Sequence, residues 1–195
     1  TITVFDQIED ISNAVQWITA NAQKYEGNMD EMYLAGHSAG GVLAVAESLL
    51  CNDKQMRADF NIDERNYKYS GIILDCGAMH FYKRNIAYWG MRSMIFPKGY
   101  KKMEKYQYLI FNNNHKLSTL PKTVLLTNEK DELNKMTYHF KKVLNDNNVD
   151  NKLFDIGDDG HMGIIFKIYT EENQKLIDSI LDYFEIEENV SKLTK

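Results

Sequence analysis

Apolar residues recur at steps of three and four through Ile8, Ile11, Val15, Ile18 and Ala22, and this spacing predicts an amphipathic helix over residues ~6 to ~25, closed by Gly27. The pattern then changes. "MDEMYLAG" (29–36) is a short apolar run that predicts a strand, and the Ala-, Leu- and Val-rich stretch over ~39 to ~51 predicts a buried helix. "YSGIILDCG" (69–77), "KTVLLTN" (122–128) with Pro121 at its entry, and "KLFDIG" (152–157) predict three further strands. Near-continuous apolar strands are usually buried on both faces and parallel. Residues ~132 to ~147 alternate charged and apolar positions at helical spacing before the loop "NDNNVDN". "EENQKLIDSILDYFEI" then sets Leu176, Ile180, Leu181 and Phe184 on one side of a last helix.

The segment from Ala78 to about Leu120 is irregular and carries Met79, Phe81, Tyr82, Tyr88, Trp89, Met91, Met94 and Phe96. Alternation of helices and strands around it predicts an α/β fold, a three-layer α/β/α arrangement with a mostly parallel sheet. The whole chain, 1–195, reads as one domain, with residues 78–118 as a short cap or insert within it whose aromatic and methionine side chains suit an apolar group.

At the junction of the first strand and the second helix stands Gly36-His37-Ser38-Ala39-Gly40. A strand that turns into a helix within two residues needs glycines where backbones approach, and it strains the serine so that its Oγ projects outward. Free N–H groups and a partial positive charge at the helix start point to the same place, which makes the Ala39 N–H an oxyanion donor. Serine needs a base, itself oriented by a third group. Of the five histidines, His37 sits in the turn with its side chain expected on the far side, His80 and His115 in the insert, and His139 on a helix. His161, in "GDDGHMG" just past the last strand, occupies a loop at a strand's carboxyl end, where parallel sheets place ligands. The preceding strand's loop, "LLTNEKDEL", offers Asp131 as the orienting acid, with Glu129 as competitor and Asp158 or Asp159 as alternatives nearer in sequence. His37, Met79, Trp89 and Met162 are expected at the substrate.

Charge and composition narrow the field. Net charge is -5 with mixed signs, which removes the electrostatic case for nucleic acid. No apolar run has transmembrane length, no histidine or cysteine spacing makes a metal site, and no glycine-rich phosphate loop is present, so neither metal nor cofactor is expected. Cys51 and Cys76 are the only cysteines and give no disulfide framework, which favours a reducing, cytoplasmic location.

The order Ser38, Asp131, His161 along a run of βα units resembles the α/β-hydrolase fold, whose triad follows the order Ser, Asp or Glu, His. "GHSAGGVLA" resembles its esterase and lipase branch, which includes hormone-sensitive-lipase-like carboxylesterases, acetyl-esterase-like enzymes and arylformamidases; "TNEKDEL" and "DDGHMG" resemble that branch's acid and histidine loops. The resemblance implies a serine hydrolase acting on a small-molecule ester through an acyl-enzyme, with amide cleavage as an alternative. That branch also carries a His-Gly-Gly loop whose N–H groups complete the oxyanion hole, whereas the only Gly-Gly here is Gly40-Gly41. The expectation is therefore that the family's first strands and oxyanion loop lie upstream of Thr1, with an N-terminal segment or a second copy completing the sheet. A catalytically silent binding protein is the contrasting expectation.

Overall fold

A computed structural model describes residues 2–80, 92, 94–157 and 160–186. Four parallel strands, β1 (Tyr33–His37), β2 (Gly71–Asp75), β3 (Lys122–Thr127) and β4 (Asn151–Asp155), lie in the order β1-β2-β3-β4. Around them run α1 (Val4–Asn21), α2 (Ala39–Leu50), α3 (Lys54–Asp59), α4 (Glu104–Gln107), α5 (Asn134–Asp146), α6 (Gly163–Phe166) and α7 (Glu171–Phe184). This is an α/β fold with helices on both faces of the sheet.

Side-chain alternation along β2 and β3 separates the two layers. Ile72, Leu74 and Leu125 face the larger core, shared with Val4, Phe5 and Ile8 of α1, Val42, Val45 and Leu49 of α2, and Phe140 and Leu144 of α5. Ile73, Val124 and Leu126 face the opposite side, where Ile180 and Phe184 of α7 cover them. The second layer is so close that a Cβ on Gly71 would lie 2.2 Å from Phe184 Cε1.

Helix starts follow their caps more closely than the apolar spacing suggests. α1 begins at Val4, ahead of the expected start, because Thr3 and Asp6 form a capping box: Thr3 Oγ1 accepts from Asp6 N–H and Asp6 Oδ2 accepts from Thr3 N–H at 2.6 Å. α3 falls in a stretch for which the sequence predicts no element. Asp53 Oδ1 caps it by accepting from Gln55 and Met56 N–H at 3.0 and 3.1 Å, and Met56 is its one buried residue.

Described residues of the insert between β2 and β3 pack into the core. Phe96, Tyr106, Leu109, Phe111 and Leu117 belong to the larger core, with Phe96 5.8 Å from Phe5 and Phe111 5.5 Å from Phe140, centroid to centroid. Met94 is exposed. Phe81, Tyr82, Tyr88, Trp89 and Met91 lie outside the described residues.

Candidate active site

All four strands end at the same edge of the sheet, so the loops leaving them gather the chemistry-bearing side chains there. Ser38 stands between β1 and α2 with φ 53° and ψ −118°, a conformation that L-residues adopt only when their surroundings force it. Ser38 N–H donates to Asp75 O at 2.8 Å, and Ser38 O accepts from Ala78 N–H at 2.9 Å, so the end of β2 and the loop after it clasp the turn. A Cβ on Gly36 would lie 2.2 Å from Gly40 O, whereas one on Gly40 would meet nothing within 4 Å. Close backbone approach therefore explains the first glycine of the motif and not the second. Ala39 opens α2, so its N–H lies among the donors that a helix leaves unsatisfied at its start.

His161 and Asp131 come together as the sequence order suggests. His161 Nδ1 donates to Asp131 Oδ1 at 2.8 Å, the tautomer in which a neutral imidazole carries its lone pair on Nε2. Asp131 is nearly sealed from solvent. Burial pulls its pKa up, but bonds from Leu133 N–H, His161, Thr127 Oγ1 and the Cys76 thiol outweigh that and hold the carboxyl below its usual range. Glu129, the competing acid, is exposed, and Asp158 and Asp159 lie outside the described residues. Ser38 Oγ makes no hydrogen bond to His161.

The other histidines separate cleanly. His80 and His139 pack edge to face at 4.0 Å, with His139 Nε2 3.1 Å from Asn112 Oδ1. The side chain of His115 lies outside the described part. His37 does not turn away from the site. Its Nδ1 donates to Asp75 Oδ2 at 2.6 Å, its Nε2 lies 3.0 Å from Met162 Sδ, and its ring centroid is 4.7 Å from that of His161. Both ring nitrogens of His37 thus have protein neighbours. Asp75, which the sequence reading passes over, is its partner.

Of the remaining expected contacts, Met162 is partly exposed beside His37. Met79 is fully buried, its sulfur 3.4 Å from where a Cβ on Gly41 would lie, so it supports the turn from behind. Ala39 instead borders an apolar cavity of about 130 Å³ lined by Val4, Gln7, Val42, Leu43, Ala78 and Ile95. Among the described residues, ligating atoms converge only at Cys76, Asp131 and His161, all within 4.8 Å of one another; there the His161–Asp131 hydrogen bond already occupies two of the three. No described helix is long and apolar enough to cross a membrane.

Similar architectures are known. Esterase B from Lactobacillus rhamnosis is 17% identical with a TM-score of 0.72, covering 94% of this chain and 61% of its own. A bacterial heroin esterase is 17% identical with a TM-score of 0.67, covering 93% and 59%. A Rhizomucor miehei esterase is 20% identical with a TM-score of 0.67, covering 91% and 58%. The chain therefore spans about three fifths of the length of these esterases. No curated protein matches the sequence. The sequence model of the BD-FAE family matches residues 2–133, well over half of the chain, and the chain belongs to that family of α/β-hydrolase esterases.

Proposed function

We propose that the full-length protein is a serine carboxylesterase in which Ser38 is the nucleophile, His161 the general base and Asp131 the group that orients it. The observation that carries this reading is the strained backbone of Ser38 at the β1–α2 turn, since nothing in packing alone requires a non-glycine residue there. The His161–Asp131 bond supports it by engaging Nδ1, so that in the neutral imidazole Nε2 is the nitrogen that can accept a proton.

In this mechanism His161 Nε2 takes the Ser38 proton as Oγ attacks the ester carbonyl. The carbonyl oxygen gains a negative charge that Ala39 N–H stabilises, each such donor being worth about 3 to 4 kcal/mol in the transition state. His161 passes the proton to the departing alkoxide, and the alcohol leaves. Water, deprotonated by the same nitrogen, then attacks the acyl-enzyme and frees the acid and Ser38. The apolar cavity beside Ala39 suits the acyl chain, and its size favours a short one.

The test is steady-state hydrolysis of p-nitrophenyl esters by the full-length protein. The butyrate should turn over faster than the palmitate, aminoacyl anilides should not be cleaved, and Ser38→Ala should lower kcat by about 10⁴-fold or more. Turnover that survives Ser38→Ala, or its absence in the wild type, overturns the reading.

A further inference from the structure

We propose that His37 and Asp75 form a second His–Asp pair that does not contact substrate but positions His161 as general base. The inference rests on the assignment of His161 above and adds a role for two residues that the mechanism itself does not use.

The pair follows from sheet geometry. In the parallel register His37 sits opposite Asp75, and both fall in the same alternation as Ile73, so their side chains leave the same face of the sheet at its carboxyl edge. Neighbouring strands bring such partners side by side, and the Nδ1–Oδ2 bond of 2.6 Å fixes the His37 ring. That ring is then wedged. Asp75 holds one edge, Met162 Sδ meets the other, and the His161 ring lies against it at 4.7 Å. Met162 directly follows His161, so His37 contacts both the base and the side chain of the next residue.

A second connection closes the circuit. Cys76 follows Asp75 in a left-handed conformation, φ 48°, and its buried thiol faces both Asp75 and Asp131. Cys76 thus adjoins Asp75 in the chain while its thiol lies within 4.8 Å of the ligating atoms of Asp131 and His161. Burying Asp75 is costly for a fold: desolvation raises its pKa, only partly opposed by His37, Cys76 and the charge of His161. An apolar residue at this position would cost the fold less. What the carboxylate gains is a fixed His37 and a negative charge near the imidazolium that forms on His161 during attack. A base held from two sides keeps its ring in one orientation, and misplacement of a catalytic group by about 1 Å can cost about 100-fold in rate.

The experiment uses His37→Gln, Asp75→Asn and the double variant in the full-length protein. Each is assayed on p-nitrophenyl butyrate, with kcat expressed per active site titrated by a fluorophosphonate, so that misfolded molecules drop out of the count. Each single variant should lower kcat by about 10- to 100-fold with KM within about twofold of wild type. The double variant should fall no further than the worse single one, because both changes break the same bond. If Asp75→Asn yields no titratable protein, His37→Gln alone decides. Unchanged kcat, a raised KM with kcat retained, or additive losses overturn the proposal, the raised KM showing instead that His37 meets substrate. Wild-type protein that is neither titrated nor active overturns the Ser38 reading and this inference with it.

Discussion

Gly36 and Gly40 flank the same serine, yet their surroundings differ. At Gly36 a Cβ would collide with backbone, 2.2 Å from Gly40 O and 2.8 Å from Gly41 N, and backbone at a strand–helix junction has little room to retreat. At Gly40 the space is open. Gly36→Ala should therefore destabilise the protein by about 3 kcal/mol or more, while Gly40→Ala should change stability by less than about 1 kcal/mol, in either direction. Urea unfolding with the two midpoints compared checks this. The motif alone treats the two glycines alike, because spacing in sequence says nothing about which backbone comes near. Asp131 and His161 were legible as neighbours, since each follows a strand and adjacent parallel strands end together. Asp75 was not, because its meeting with His37 depends on the register of β1 against β2 and no residue in "IILDC" signals that register.

Among the elements, α2 carries the turn from behind and is buried along most of its length, as its Ala-, Leu- and Val-rich composition implies. One residue breaks the pattern. Glu47 is fully buried, with Oε1 accepting from Tyr67 and Tyr69 hydroxyls at 2.7 and 3.2 Å, and Oε2 has no hydrogen-bond partner. Desolvation raises its pKa against the pull of Tyr67, Ser12, Arg65 and Tyr69. A raised folded-state pKa means that this group's stabilising contribution is full below the unfolded pKa, near the ordinary carboxylate range, and is lost as pH rises through the folded value. Glu47→Gln, which keeps the acceptor for both tyrosines, should therefore be at least as stable as wild type at neutral pH, and the gap should close on acidification. Thermal unfolding across that pH range is the check; a Gln variant less stable at neutral pH contradicts it. Elements with several turns of apolar spacing were legible in the sequence, whereas α3, with one buried residue in six positions, leaves no periodicity to read.

At the scale of the molecule, the four strands share one direction and the candidate site lies where they end, the place that parallel α/β sheets give to ligands. Ser38, Asp75 with Cys76, Asp131 and His161 leave β1, β2, β3 and β4 in that order, each contributing from its own strand end. The helical layers on either side are what the alternation of elements implied. The insert was harder to read, because its aromatic residues carry no regular spacing; the structure buries Phe96, Tyr106 and Phe111 in the core. What joins fold to function is the claim that Ser38 is a nucleophile. Its most direct measurement is mass spectrometry of the full-length protein after exposure to a fluorophosphonate. The account predicts one adduct per chain, on the peptide bearing Ser38, lost in Ser38→Ala and formed far more slowly in His161→Ala. An adduct on another residue, or the same adduct in Ser38→Ala, would contradict it.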